Sequence, residues 1–398
     1  MVASSGRAKI SGIERQLIKL GEDTRAQFFQ TRRGHMNFFW KTVLCLYLVV
    51  TGPASAGDKW SDDFSTSELN RSLWSPCQIN MDKAPIEFLH DPDDAGNQYA
   101  RITVDINSLG GKQCRKAAPD SGVRPISAFS LPPDRPSPVE EPDTPKLGGP
   151  SFFDAKMNPF AAIDANGDPY CDSAIIQKAL AAGEEGRCIQ RQELRFQYTH
   201  AADEPFTYKL RFRMPAVIQD TKNSVRWVIA QWKEEPISPA YEDPSPVLAQ
   251  RFDDGVLHVT VQDEYCRCRV ASAPMPDGSI WPARSGIAHD CISSRLGDPG
   301  HTACTADLTV EYGADPVLPS ARGAWVDMQY RVQMSRSKTA AIEIYANGRF
   351  IARVTGKIGY EPAPGKISQT KFKIGHYRDY LPSVDTMDID RVEVERSD

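Results

Sequence analysis

Thr207-Tyr208-Lys209-Leu210-Arg211-Phe212-Arg213-Met214 is the stretch that decides the fold. Tyr208, Leu210, Phe212 and Met214 fall on one side of a two-residue period, and Lys209, Arg211 and Arg213 on the other. That alternation belongs to a strand with one face in a core and the other toward water. Trp325 to Met334 repeats it, with Val326, Met328, Tyr330, Val332 and Met334 on one face. Ala341 to Tyr345 and Phe350 to Val354 flank Asn347-Gly348, a pair suited to a two-residue hairpin turn. Short strands are also expected from Trp60 to Leu109, and a last one from Met387 to Glu395. One short helix is expected between Asp172 and Gly183. Many short strands with little helix predict an all-β sandwich or jelly roll.

The ends and the middle of the chain read differently. Phe38 to Val50 is apolar apart from Lys41 and Thr42, and Ala54-Ser55-Ala56 follows it. This is the layout of a secretory signal peptide cleaved after Ala56, so residues 1–56 are read as an extension plus signal and 57–398 as one domain. Met36 lies at the position where such a signal would start, and translation is expected to begin there. The apolar run is short for a bilayer span, so no stable span is expected after cleavage. Pro119, Pro125, Pro132, Pro133, Pro136, Pro138, Pro142, Pro145 and Pro150 exclude a central strand. A surface insertion at about 117–187 is expected inside the one domain.

Cysteine usage agrees with export, either secreted or periplasmic. Beyond Cys45 in the signal, eight remain: Cys77, Cys114, Cys171, Cys188, Cys266, Cys268, Cys291 and Cys304. An even number suits a disulfide framework. Cys266 and Cys268 lack a matching Cys/His pair at zinc-site spacing and are expected to reach toward Cys291 and Cys304. The net charge of −5, with no concentrated basic stripe, excludes a nucleic-acid binder.

Three strands carry polar chemistry on one face. Arg191, Glu193, Arg195 and Gln197 alternate along one, while Leu194 and Phe196 point to the core. Gln231 and Lys233 share a face with Trp227 and Ile229 under strict alternation. Lys371, Lys373, Gly375 and Tyr377 share a third face, with Phe372 and Ile374 turned inward. Gly375 would open close access beside Tyr377.

Arg191-x-Glu193-Leu194-Arg195, Gln231-x-Lys233 and Phe372-Lys373-x-Gly375-x-Tyr377 resemble, in order, the three motifs of the jelly-roll polysaccharide lyases, the group of alginate, glucuronan and heparin lyase I-like enzymes. The resemblance covers roughly 187–398. It implies a concanavalin-like β-jelly roll of two antiparallel sheets. It also implies β-elimination on an acidic, uronate-containing polysaccharide; a monomer with no required cofactor is expected. Tyr377 matches the family's catalytic tyrosine, and Arg191 and Gln231 its carboxylate-neutralising residues. Neutralisation is needed because the C5 proton becomes acidic only when the uronate charge is offset. A tyrosine with a pKa around 10 is a poor base at neutral pH, and Lys373, Arg191 and Lys233 would favour its phenolate. Glu193 is expected to orient an arginine. Lys233 departs from the family, which has histidine at that position. Lysine supplies charge but holds its proton, so a tyrosine-only syn elimination on glucuronate or mannuronate is expected.

Arg195, Glu193, Lys373, Lys371 and His258 are expected to bind substrate around that centre. His258 lies on a strand phase that could enter the groove, or could be a hydrogen-bonded structural histidine; His376 falls on the core phase. Asp164-Ala165-Asn166-Gly167-Asp168 alternates oxygen ligands as calcium loops do, but lacks the full spacing and terminal glutamate, so a turn is expected and calcium is the alternative. No metal ligand is assigned. Two rivals stand beside the lyase. A glycoside hydrolase needs two carboxylates poised across the bond, and no groove strand carries such a pair. A carbohydrate-binding module would keep the groove without turnover.

Overall fold

In the computed structural model the described residues are 58–78, 86–106, 108–109, 159–163, 169–184, 188–217, 226–241, 245–294, 302–336 and 340–397. The expected signal segment, most of the Pro-rich insertion, the Asp164–Asp168 loop and Cys114 lie outside them.

Among the described residues, the strands form one ten-stranded and one nine-stranded sheet, both antiparallel, with a small separate hairpin. The ten-stranded sheet is centred on Val326–Gln333, Phe206–Arg213 and Asp385–Arg396. The two stretches whose alternation is cleanest, 207–214 and 325–334, pair directly there, with Tyr330 opposite Tyr208 and Met328 opposite Leu210. The nine-stranded sheet carries the polar faces. Its order is Cys291–Ser293, Cys266–Ser272, His258–Gln262, Leu248–Arg251, Trp227–Glu235, Gln369–Asp379, Ile189–Phe196 and Trp74–Gln78, with the short His200–Ala201 pairing to Gln369–Asp379 off this path. Each sheet turns an apolar face inward, and the two faces share one core. Tyr208 and Tyr330 from one sheet pack on Trp232 and Phe372 from the other, with ring centroids 4.9–5.4 Å apart. Burying such rings is the main stabilising term of a sandwich. This is a β-jelly roll.

Local signals hold where local chemistry is decisive. Asn347 and Gly348 take φ of 48° and 75°, closing the hairpin between Ala341–Ala346 and Arg349–Gly356. Ser173–Ala181 is a helix whose first amides donate to the Asp172 carboxylate. Cys266 and Cys268 do reach the expected partners, bonding Cys304 and Cys291, and Cys171 bonds Cys188.

Strict alternation fails at one place that matters. Register shifts at Val228/Ala230 in the pairing of Trp227–Glu235 with both neighbouring strands. Trp227 therefore does not share the face of Gln231 and Lys233. It turns into the core, where its indole N–H donates to His376 Nδ1 at 3.0 Å. Val228 lies opposite Tyr377 in its place. A bulge changes which residues share a face without changing composition, so the alternation rule cannot register it.

Gly375 sits on the bulged stretch of the central strand with φ of 132°. A Cβ there would lie 2.2 Å from the Gln192 carbonyl oxygen and 3.0 Å from Glu193 Cα. The glycine is required by the backbone of the adjacent strand, more than by access to Tyr377. Gly375→Ala is expected to destabilise the fold by about 2–3 kcal/mol in urea unfolding.

Candidate active site

Three adjacent strands bring the three motifs together. Across Ile189–Phe196 and Gln369–Asp379, Arg191 lies opposite Tyr377, Glu193 opposite Gly375, and Arg195 opposite Lys373. On the other side of the central strand, Gln231 lies opposite Lys373 and Lys233 opposite Lys371. Strand spacing of about 4.8 Å puts these side chains in one patch.

Glu193 is the hub of that patch. It is 1% exposed, and an isolated buried carboxylate would cost several kcal/mol. Two partners offset that cost. Arg191 Nε lies 3.2 Å from its Oε2, and the Gln231 amide donates to its Oε1. The Gln231 contact crosses the whole central strand. Glu193 thus fixes the arginine and the amide from opposite sides.

Tyr377 is half-buried, with the Arg191 guanidinium 4.3 Å from its ring centroid and that of Arg226 5.0 Å from it. Asp379 holds Arg226 in place, accepting from Nη2 at 2.7 Å and from the backbone N–H at 2.9 Å. Burial brings Lys373 down to about 8; Arg191 and Lys233 add to the drop and Glu193 opposes it. Lys371 donates to Glu235 at the end of the strand.

His258 lies on the same sheet face but is buried, opposite Arg251. Its Nδ1 is 3.2 Å from the Val256 carbonyl and its Nε2 is 3.5 Å from Asp253. Both ring nitrogens are therefore occupied within the protein, which matches the structural alternative for this residue. Burial, the largest effect, lowers its pKa against the pull of Asp253. His376 is in the core as expected, its Nε2 3.1 Å from the Ile102 carbonyl, and burial lowers it to about 3.

Several residues of this face were not singled out from sequence. Arg226 flanks Tyr377, and Arg251 is 2% exposed with its Nη1 3.7 Å from Asp253. Burial pushes the Asp253 carboxyl up, but the His258 hydrogen bond and the Arg251 charge outweigh it and bring the group to about 2. The available signal was an arginine ending the apolar run Val247-Leu248-Ala249-Gln250-Arg251-Phe252. A charge in such a run needs a partner, and Asp253 follows at once. Below the face, Gln190 and Arg378 are fully buried and bonded to each other, with Arg378 also paired to Asp385.

Two clefts of about 600 and 500 Å³ lie elsewhere, one lined by Lys59, Asp62 and Glu393, the other by Asp263, Cys304 and Arg336. Among the described residues no cluster of three or more His, Cys, Asp or Glu could hold a metal ion. None of their helices is long and apolar enough to cross a membrane.

A family model described as polysaccharide lyase matches residues 166–393, more than half of the chain. The chain belongs to this family and is a polysaccharide lyase. No curated protein sequence matches it. Similar solved structures include the family 7 alginate lyase A1-II′ in complex with substrate, at 16% identity over 62% of this chain and 98% of that one, TM-score 0.29. Others are the endo-β-1,4-glucuronan lyase of the fungus Trichoderma reesei, at 14% identity over 54% and 77%, TM-score 0.33, and the marine alginate lyase AlyA1 of Zobellia galactanivorans, at 12% over 57% and 80%, TM-score 0.29.

Lys373 is cationic below about pH 8 and loses its charge above it. With an anionic polysaccharide, kcat/KM should therefore fall as pH rises through 8. Lys373→Arg, which stays charged, should move that descending limb to higher pH in a kcat/KM–pH profile.

Proposed function

We propose that the protein cleaves a uronate-containing polysaccharide by syn β-elimination, with Tyr377 as base and acid. The observation that carries this is the arrangement around Glu193: it aims Arg191 and Gln231 at one patch while Arg191 also flanks Tyr377. A guanidinium and an amide side by side suit a carboxylate, the group whose charge must be offset before C5 can lose its proton.

The steps balance on one residue. Tyr377, as phenolate, takes the C5 proton; electrons form the C4–C5 double bond as the C4–O4 bond breaks; the phenol then returns the proton to O4. Lys233 and Lys373 add charge where the sugar carboxylate would lie, and Arg195 and Lys371 extend the cationic strip. His258 is enclosed, and Tyr377 is the group we assign as base. One-sided proton transfer fits glucuronate or mannuronate, whose C5 hydrogen and O4 lie on the same ring face. A monomer suffices, because every group named comes from one chain. The three disulfides among the described residues support a secreted or periplasmic setting.

The test is ultraviolet absorbance of an unsaturated uronate product with glucuronan, polymannuronate and polyguluronate. A rise is expected with one of the first two, at least tenfold slower with polyguluronate. Tyr377→Phe should lower kcat by about 10²–10⁴-fold. New reducing ends without absorbance would indicate hydrolysis, and equal rates on polyguluronate would remove the one-sided mechanism.

A further inference from the structure

The Cys-Arg-Cys-Arg run at 266–269 is the part of the groove sheet that the chemistry at Tyr377 leaves unexplained. Cys266 and Cys268 are both in the core cluster, tied to Cys304 and Cys291. Because successive side chains of a strand point to opposite faces, the two disulfides commit Arg267 and Arg269 to the face that bears Tyr377. The pairing register places them on it. Arg269 lies opposite Thr260, Thr260 opposite Ala249, and Ala249 opposite Gln231. Three strand steps of about 4.8 Å separate Arg269 from Gln231, a distance of roughly 14 Å. A polysaccharide lying across the strands from Tyr377 would reach this run a few sugar units from the broken bond.

The two arginines differ in how their charge is met. Arg269 Nε has Asp290 at 3.5 Å. Arg267 has no carboxylate in ion-pair contact among the described residues, and its strongest electrostatic neighbour is another cation, Arg251. That charge, together with burial, lowers Arg267 to about 9, with Asp253 opposing the drop and Arg226 adding to it. Arg251 is itself 2% exposed, and its ion-pair partner Asp253 also faces His258. Among the described residues, positive charge is thus concentrated at one place on this face in excess of the carboxylates paired with it. Two partly desolvated guanidinia repel each other, and a ligand anion between or beside them relieves that repulsion.

We propose that Arg267, with Arg251 beside it, is a distal subsite that binds the carboxylate of a uronate unit remote from the cleaved bond. This rests on the polyuronate reading above and adds a residue that selects charged chains by affinity and length. The disulfides would serve it by holding a guanidinium at a fixed position on an otherwise edge-proximal strand.

Calorimetric titration tests it in a Tyr377→Phe background, so that binding is read without turnover. The probes are hexaglucuronate, hexamannuronate and cellohexaose, the last being the glucuronate chain with its carboxyl groups reduced. Arg267→Gln is expected to raise Kd for the better uronate hexamer about tenfold, leave cellohexaose within twofold, and weaken the salt dependence. Arg267→Lys should restore most of the affinity, and unchanged thermal unfolding in both variants would show an intact fold. An unchanged Kd in Arg267→Gln, or an equal loss with cellohexaose, overturns the subsite and leaves the lyase reading standing. Absence of unsaturated product from the unaltered enzyme overturns the lyase mechanism while the Kd comparison still decides the subsite. Failure of both uronate hexamers to bind overturns both.

Discussion

The buried carboxylate of Glu193 is the constraint on which the rest of the site depends. It lies on one strand, draws Arg191 from its own face, and takes the Gln231 amide from two strands away. The strand between them runs close to the Gln192 carbonyl, where Gly375 has no Cβ to clash. That backbone exception lets the central strand and Ile189–Phe196 approach closely beneath the polar face. Replacing a solvated carboxylate by a buried, paired one rarely adds stability. What it supplies here is direction for a guanidinium and an amide.

Around that hub the sheet is cationic, with its acids used to hold arginines. Asp379 positions Arg226, Asp253 positions Arg251 and His258, and Glu193 positions Arg191. Such pairing orients side chains while leaving N–H groups and net charge for an anionic ligand. The other sheet contributes no group to this chemistry. Its role is to back the site, through Tyr208 and Tyr330 against Trp232 and Phe372, so that the polar face is fixed to a packed layer.

Much of this was legible in the residues alone because alternation is a local property. Tyr208 to Met214 and Val326 to Met334 declared their buried faces, Asn347-Gly348 declared its turn, and the three polar motifs declared a shared face. The pairing of Cys266 and Cys268 with the two later cysteines was also open to reading. Trp227 was misplaced because a bulge inverts the phase within one strand, and nothing in Trp227-Val228-Ile229 marks it. Arg251, Asp253 and Arg226 were missed because their meaning is relational: each gains its role from a neighbour across a strand or a turn. His258 could be assigned to the right face from its phase, but its enclosure depended on Arg251 and Asp253 beside it.

The central claim is that Glu193 works by orienting Arg191 and Gln231 around the reacting sugar. Glu193→Gln tests it most directly, since the shape is kept and the charge removed. The account predicts that kcat/KM on the preferred polyuronate falls about 100-fold, while thermal unfolding shifts by only a few degrees. A variant with kcat/KM within threefold of the unaltered enzyme, at the same unfolding temperature, would contradict it.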